Sequence, residues 1–320
     1  MKKNIIITGG AGYIGQATKF FLEYKSYNVF ILDRSAKKKI HSGRNIFAYN
    51  TKNIDKILKK YKIDIVIHLA AKNISYESKN NPIDFYESNV ADNIIMLKKM
   101  IKFNVKKIIY LSSSSVYGIP NKSLVNEKAM CNPQDTYGRS KLFLEKIIDD
   151  FSKKYKMKYV ILRLFNVSGA DKKKRFGQSI NSTAIITRIF DQIYNKKKIT
   201  ISKTSRKNSK DLSPIRDYVH PTDVAQAIFK SIQFLNREKH NDIFNIGSGN
   251  KGLSVLEIID KIEKQLKVKI TFNFSKNKKK FIESIYPNIS KAQKTLKYKS
   301  KHSSINNIIN TNYKWFQKKK

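Results

Sequence analysis

A glycine-rich turn near the amino terminus constrains the fold of this chain more than any other feature. An apolar run from Lys3 to Thr8 leads into the sequence GGAGYIG, and an amphipathic stretch, Gln16 to Tyr24, follows it. A second apolar run, Tyr27 to Leu32, then ends at Asp33. Strand, glycine turn, helix, strand and acidic residue in this order predict a βαβ unit that binds a dinucleotide.

Each glycine of the turn has its own predicted role. Gly9 permits the tight turn, Gly12 lets the backbone approach a pyrophosphate, and Gly15 lets helix and strand pack closely. The N–H groups at the start of the helix, at Tyr13 and Ile14, are then available to hold the phosphates. An incidental glycine turn is the alternative, and the strand-turn-helix context disfavours it.

Asp33 lies where a carboxylate accepts hydrogen bonds from the adenosine ribose and repels a 2′-phosphate. This position favours NAD over NADP as the cofactor. Arg34 keeps the alternative open, because an arginine at this place could instead bind that phosphate.

Helical and apolar stretches continue to alternate after Asp33. We predict helices over Ile54 to Tyr61 and Phe85 to Phe103, and strands over Ile63 to Leu69 and Lys107 to Leu111. Strands that alternate with helices predict an α/β fold, a Rossmann-like doubly wound parallel sheet.

Ligands of such sheets bind outside the carboxyl ends of the strands. Leu69, Ala70 and Ala71 end one strand, and we predict that they contact the cofactor. A run of four serines, Ser112 to Ser115, follows the next strand. Hydroxyl groups are well placed there for catalysis, although serine-rich turns are often only turns.

A tyrosine and a lysine lie four residues apart in the sequence DTYGRSK, residues 135–141. Tyr137 and Lys141 share one face of a predicted helix, so they are either a surface pair or an acid–base centre. A tyrosine of pKa about 10 is a poor base at neutral pH. A nearby lysine and a positive nicotinamide ring would lower that pKa.

The net charge of +41 raises the hypothesis of a nucleic-acid partner. Only nine of the 65 basic residues are arginine, the residue that suits bidentate phosphate and base recognition, and the lysines are spread along the whole chain. We therefore expect no specific nucleic-acid partner, and only salt-sensitive, nonspecific binding.

The remaining composition excludes several classes of protein. Cys131 is the only cysteine, which rules out an intramolecular disulfide and fits a reducing cytoplasm. The five histidines show no metal-ligand spacing, so we predict no metal site. No stretch approaches the ~18 apolar residues of a membrane span, and glycines interrupt the amino-terminal apolar run too early for a signal peptide.

Five segments, in order along nearly the whole chain, resemble the extended short-chain dehydrogenase/reductase family and, within it, the UDP-galactose (UDP-glucose) 4-epimerases. The segments are TGGAGYIG, LSSSSVYG, YGRSK, LRLFNVSGAD and PIRDYVHPTDVA. The resemblance implies NAD as cofactor and reversible 4-epimerisation of a UDP-hexose through a 4-keto intermediate. The sugar is glucose/galactose or one of their N-acetyl forms.

The resemblance also implies roles for individual residues. Ser113, Tyr137 and Lys141 would be catalytic, and Lys141 would also hold the nicotinamide ribose. Asn89 would lie beside the nicotinamide, and Asn50 would replace a usual aspartate near the adenine. The predicted contacts to the UDP part of the substrate are Asn166, Arg216 and Lys278.

Two departures from the family pattern concern lysines. Lys72 precedes Asn73, whereas an apolar residue usually precedes a lysine there, which puts that lysine's cofactor contact in doubt. The stretch Lys276 to Phe281 replaces an arginine–glycine–aspartate signature, so Lys278 either supplies the positive charge or belongs to a solvated loop.

The 4,6-dehydratases of the family carry an Asp-Glu pair directly after the catalytic hydroxyl residue, whereas this chain has Ser114 and Ser115. Elimination of water is therefore disfavoured. A 4-ketosugar reductase that uses NAD(P) remains the alternative, with Arg34 as its sequence hint. A non-catalytic nucleotide- or RNA-binding protein is the third possibility.

We predict two domains: residues 1–165 bind NAD, and residues 166–320 form a smaller carboxy-terminal domain that binds the UDP-sugar and partly returns to the sheet. Helices are expected near residues 183–195, 222–235 and 254–267. The helices at 85–103 and 137–155 resemble the family's dimer interface, which predicts a homodimer; the alternative is that their apolar faces serve only the monomer core.

Overall fold

The computed structural model describes residues 2–35, 45–73, 75–205, 209–275 and 281–319. The strands in these ranges are β1 (Asn4–Thr8), β2 (Asn28–Asp33), β3 (Ile46–Ala48), β4 (Ile65–His68), β5 (Lys107–Ser113), β6 (Leu124–Val125), β7 (Lys158–Leu164), β8 (Asn166–Val167), β9 (Ile199–Ile201), β10 (Ile215–Arg216), β11 (Tyr218–Val219), β12 (Asp242–Ile246), β13 (Leu253–Ser254), β14 (Phe272–Phe274) and β15 (Ser284–Pro287).

The helices surround these strands. They are α1 (Tyr13–Tyr24), α2 (Thr51–Lys60), α3 (Ser75–Asn80), α4 (Pro82–Tyr86), α5 (Asp92–Lys102), α6 (Thr136–Tyr155), α7 (Ile185–Asn195), α8 (Pro221–Arg237), α9 (Val255–Leu266) and α10 (Ile305–Lys319). The predicted helices and strands lie within a few residues of these bounds.

Seven parallel strands form the central sheet, in the order β12-β7-β5-β4-β1-β2-β3. From β1 the chain builds outward first through β2 and β3, and then in the other direction from β4. The strand order therefore reverses between β1 and β4, which is where such sheets bind ligands. The predicted Rossmann-like, doubly wound parallel sheet is confirmed.

Both faces of the sheet are covered by helices because alternate residues of each apolar strand point to opposite sides. On one side, Ile5 and Ile7 pack in a cluster with Leu22 of α1 and Ile228 of α8. On the other side, Ile6 packs in a cluster to which helices α2, α5 and α6 contribute. The molecule is thus a three-layer sandwich around the sheet.

The stretch predicted as one helix from Phe85 to Phe103 is helical as far as Lys102 but not uniform. Helices α4 and α5 are joined by a π-helical segment, Glu87–Ala91. π-Segments are frequent at functional sites, and Asn89 lies within this one.

The second half of the chain has a separate apolar cluster and also contributes to the sheet. The cluster gathers residues from α7, α9 and α10. Strand β12 pairs in parallel with β7 at the edge of the central sheet, and α8 covers one face of that sheet. The division into domains at residue 165 stays a prediction.

Within the described residues, no helix combines the length and the apolar character needed to cross a bilayer. The same residues include no group of three or more histidine, cysteine or carboxylate side chains that could hold a metal ion.

Candidate active site

The glycine turn lies against the end of β4 at the reversal point of the sheet. Gly9 has φ of +70°, and a Cβ on it would lie 2.8 Å from the Ala70 nitrogen. A Cβ on Gly15 would lie 2.3 Å from the Gly9 carbonyl oxygen. Side chains at these two positions would therefore force the turn away from β4 or the helix away from the turn.

Helix α1 begins directly after Gly12, which has no side chain to cap the first N–H groups of the helix. A Cβ on Gly12 would meet only the Gly9 oxygen, at 3.2 Å. The backbone N–H groups at Tyr13 and Ile14 lie at the positive end of the helix dipole, where phosphate is favoured. The Tyr13 side chain itself points elsewhere and donates to the Gly169 carbonyl at 2.5 Å.

Asp33 joins the end of β2 to the glycine turn. Its Oδ2 accepts from the Ala11 N–H at 3.0 Å, and its Oδ1 accepts from the Ser35 N–H at 2.7 Å. The carboxylate is half-buried, and these two backbone N–H groups hold it beside the glycine turn.

Arg34 points towards the helical segment that contains Asn89. Its guanidinium donates to the Ser88 Oγ at 2.5 Å and lies 4.0 Å from an Asp92 carboxylate oxygen. The guanidinium already has an acceptor and a negative neighbour, which disfavours it as a receptor for a 2′-phosphate. The geometry favours NAD at this site.

Asn89 holds the segment that follows β4. The side chain is buried; its Oδ1 accepts from the Lys72 N–H at 2.8 Å, and its Nδ2 donates to the Lys72 carbonyl at 3.0 Å. Nδ2 also donates to the Ser140 Oγ at 3.0 Å. Asn89 thus connects Lys72, which directly follows the predicted cofactor segment 69–71, with helix α6. The Lys72 ammonium pairs with Asp84 at 2.5 Å.

Asn50 contributes a cap on helix α2. Its side-chain oxygen accepts from the Asn53 N–H at 2.8 Å. The predicted contact of Asn50 to the cofactor stays a prediction.

Ser113, Tyr137 and Lys141 come together at the end of β5. Lys141 is buried and donates from Nζ to the Leu111 carbonyl at 2.7 Å, and its Nζ lies 6.0 Å from the centre of the Tyr137 ring. The Ser113 hydroxyl accepts from the Ser115 N–H at 3.1 Å and lies near enough to the Tyr137 phenol to act on its pKa.

Burial controls the protonation of this cluster. Desolvation raises the pKa of Tyr137 to about 12, the hydrogen bond with Ser113 acts to lower it, and Asp135 acts to raise it. Desolvation also lowers the pKa of Lys141 to about 7, against the opposing charge of Glu145. The sequence predicts a lowered tyrosine pKa; with protein groups alone the pKa is raised, because desolvation outweighs the effect of Ser113 and the Asp135 charge acts in the same direction as desolvation.

A buried ion pair, which the sequence did not indicate, lies directly behind the cluster. Glu145 and Arg163 form a two-bonded fork, with Nε–Oε1 and Nη2–Oε2 distances of 3.1 and 2.7 Å. Glu145 also accepts from the hydroxyl of Ser112, the neighbour of Ser113. The available signal was the spacing of Glu145, which follows Lys141 by one helical turn and Tyr137 by two.

The predicted UDP contacts occupy neighbouring short strands. Asn166 is exposed and pairs with Tyr218 between β8 and β11, and Arg216 ends β10 just before. The Arg216 guanidinium donates to the carbonyls of Ile215 at 2.8 Å, Glu283 at 3.1 Å, and Ile282. Lys278 lies outside the described residues.

The fold and this cluster define a dinucleotide-binding α/β enzyme with a serine, a tyrosine and a lysine at its centre. The open backbone at Gly12, the free helix start and the anchored Asp33 carboxylate are the features that a dinucleotide requires.

Comparison with known proteins gives the family. The sequence pattern of the NAD dependent epimerase/dehydratase family matches residues 5–247. The UDP-glucose 4-epimerase of Halalkalibacterium halodurans is 31% identical over 318 residues, which cover 97% of this chain and 95% of that protein. The chain belongs to the NAD dependent epimerase/dehydratase family, as the sequence resemblance predicted.

Two further matches are a 4-epimerase of another UDP-sugar and a solved structure. UDP-arabinose 4-epimerase 1 of Arabidopsis thaliana is 30% identical and covers 98% of this chain and 79% of its own length. The crystal structure of UDP-glucose 4-epimerase from Bifidobacterium longum, in complex with NAD+ and UDP, is 28% identical. It superposes with a TM-score of 0.89 and covers 99% of this chain and 98% of that one.

Alanine at Gly12 and at Gly15 should separate cofactor approach from folding. Gly15→Ala places its Cβ against the backbone of the turn, so we expect the free energy of unfolding to fall by about 1–3 kcal/mol. We expect NAD binding to be lost as well. Gly12→Ala keeps an ordinary φ of −73° and places its Cβ 3.2 Å from the Gly9 oxygen, a close contact that a small shift of the turn relieves. We therefore expect stability within about 1 kcal/mol of wild type but roughly tenfold weaker NAD binding or worse.

Urea unfolding and calorimetric titration with NAD measure the two effects in the same preparations. Wild-type NAD affinity in Gly12→Ala would mean that the pyrophosphate does not approach the backbone at this glycine.

Proposed function

We propose that this protein is an NAD-dependent UDP-hexose 4-epimerase. The observation that carries the proposal is the convergence of Ser113, Tyr137 and Lys141 at the end of β5, next to the reversal point where the glycine turn lies. The epimerases among its relatives, which match almost the full chain, support the same function.

The side chains of the cluster divide the work of proton transfer. Tyr137 takes the proton from the sugar 4-hydroxyl and later returns it, and Ser113 hydrogen-bonds the same oxygen. Lys141 holds the nicotinamide ribose and favours the phenolate by its charge. When bound, NAD supplies a hydride acceptor and donor for C4 of the sugar, and a positive ring that further favours the phenolate.

The cluster by itself keeps the phenol protonated at neutral pH, since burial raises the pKa of Tyr137 to about 12. Activation of the tyrosine thus depends on charge brought by the bound cofactor and on Lys141 staying protonated. Such dependence restricts proton transfer to the loaded enzyme.

The UDP part of the substrate would be held by Arg216 and Asn166, with Lys278 as a third contact. Arg216 is well suited because its present partners are neutral carbonyls. Burial lowers the pKa of the guanidinium, and a bound anion would stabilise the charged form. A diphosphate is a stronger acceptor than a carbonyl and matches the fork geometry of the guanidinium.

Elimination of water would need an acid beside the catalytic hydroxyl. Ser114 and Ser115, which stand at the positions of the dehydratase acid pair, instead begin a single 3-10 turn after Ser113. Net reduction by NADPH is the second candidate, and the engagement of Arg34 by Ser88 and Asp92 disfavours it.

Turnover without added cofactor tests the function. Purified protein is incubated separately with UDP-galactose, UDP-N-acetylgalactosamine and UDP-arabinose, and products are separated by ion-exchange chromatography. We expect interconversion of at least one 4-epimer pair with no net NADH. A stoichiometric requirement for NADPH would support a reductase, and absence of turnover with any UDP-sugar would reject the proposal.

Tyr137→Phe tests the acid–base assignment. The variant keeps the ring and removes only the hydroxyl, so we expect wild-type thermal stability and NAD binding with a roughly 10²–10⁴-fold lower kcat. Near-normal kcat in a folded, NAD-loaded variant would show that another group moves the proton.

We also propose a homodimer through helices α5 and α6. Leu97 and Leu144 face the core, whereas Ile95 and Phe143 on the same helices are 39% and 44% exposed.

Phe143→Glu should convert the dimer to a monomer in sedimentation velocity. Tyr24→Glu, at an 82% exposed tyrosine on α1, is the matched control that should leave the dimer intact. A wild-type monomer at micromolar concentration would contradict the proposal.

A further inference from the structure

Glu145 lies on the same face of α6 as the two reactive residues of that helix. Tyr137, Lys141 and Glu145 are separated by four residues each, so their side chains follow one another along one stripe. The stripe faces β5, and both Lys141 and Glu145 are 4% exposed. A carboxylate buried this deeply requires a positive partner and several hydrogen bonds.

The carboxylate meets two neighbouring strands at one level. Ser112 of β5 and Arg163 of β7 are paired in register, and both donate to Glu145. The fork from Arg163 fixes the carboxylate in two directions, and the Ser112 hydroxyl fixes its height along β5. The next residue of β5 is Ser113, so the distance between the serine strand and the tyrosine helix is defined here.

Arg163 extends this connection to the turn after Ser113. Its Nη1 donates to the Tyr117 hydroxyl at 3.1 Å and to the Glu127 carbonyl at 3.3 Å. The Tyr117 hydroxyl in turn donates to the Asn245 side-chain oxygen at 2.7 Å, on β12. The turn is thus held on both sides of the catalytic serine.

Glu145 is also the negative charge that acts on Lys141. Burial lowers the pKa of Lys141 to about 7, and Glu145 is the group that acts to raise it. The other titratable groups around this pair, by element, are His68 on β4, Tyr110 on β5, Tyr137 on α6, Tyr159 and Arg163 on β7, and Tyr117, Glu127 and Cys131 in the segment between β5 and α6.

We propose that Glu145 is a positioning residue for proton transfer, one that aligns Ser113 with Tyr137 and favours the charged form of Lys141. The inference rests on the proposed epimerase function and adds to it a residue that touches neither substrate nor cofactor. It predicts a specific pH dependence, because a lysine is charged below its pKa and loses its charge as pH rises through it.

Three variants separate the charge of Glu145 from its geometry. Glu145→Gln removes the charge and leaves Arg163 buried without a counterion, which threatens folding. Glu145→Gln combined with Arg163→Met removes both charges, so the core is balanced again. Glu145→Asp keeps the charge but shortens the side chain by one methylene group.

The measurements are kcat, KM and thermal unfolding from pH 6 to 9, on NAD-loaded protein with the UDP-sugar that the wild type converts. We expect the alkaline decline of kcat to move about one pH unit lower in both variants that contain Glu145→Gln, with KM within about threefold of wild type. Glu145→Asp should lose roughly tenfold in kcat with its alkaline decline unmoved.

Asp55→Asn is the matched control, since Asp55 also accepts a lysine bond, from Lys99 at 2.7 Å, but lies on α2. It should keep the wild-type profile. An unmoved alkaline decline in a folded variant that contains Glu145→Gln would overturn the electrostatic role. Wild-type kcat in Glu145→Asp would overturn the alignment role, whether or not the variants with Glu145→Gln fold.

The proposed function and this inference fail differently. Absence of interconversion by the wild type rejects the epimerase function and the inference with it. An active wild type whose pH profile and kcat survive all three changes rejects only the role of Glu145.

Discussion

The buried ion pair between Glu145 and Arg163 joins helix α6 to two central strands at the level where those strands reach the candidate active site. Both side chains are at most 5% exposed, so neither charge can be satisfied by water. Removal of one partner from such a pair typically costs about 3–5 kcal/mol, because the other charge stays buried alone. The candidate reactive groups are attached nearby along the chain: Ser113 follows Ser112, and Lys141 and Tyr137 lie one and two helical turns before Glu145.

The parts of this structure that could be predicted from sequence are those in which near neighbours along the chain determine geometry. The glycines that shape the turn lie close together in the sequence, and Asp33 reaches the turn from the end of the next strand. Glu145 reads as a surface residue of an amphipathic helix, and its burial depends on Arg163 in a separate element. The raised pKa of Tyr137 has the same origin, since desolvation arises from packing and not from residue type. Arg216 was predictable as a cation, whereas the carbonyls of Ile282 and Glu283 that now hold it come from 66 and 67 residues away.

The cofactor turn is braced by the second half of the chain. Tyr13 donates to the carbonyl of Gly169, and Gly169 has φ of +119° with the His220 ring packed where its Cβ would stand. Phe21 of α1 packs on Phe229 of α8, with ring centres 5.9 Å apart. The helix whose start lies at the predicted phosphate site is therefore oriented by residues that precede and follow Arg216, so the two candidate binding regions share one framework.

Strand β12 also determines when the central sheet can be completed during synthesis. The edge of β7 stays open until β12 pairs with it, and the contact between Tyr159 and Asn241 at the start of this pairing spans 82 residues. During synthesis, a ribosome must therefore release most of the second half of the chain before the sheet can be completed. Until then the open edge of β7 exposes unpaired backbone groups, which are a template for misassociation. The segment that completes the central sheet is thus the last of its seven strands to leave the ribosome, so the edge that it covers stays open until the end of the synthesis of the sheet.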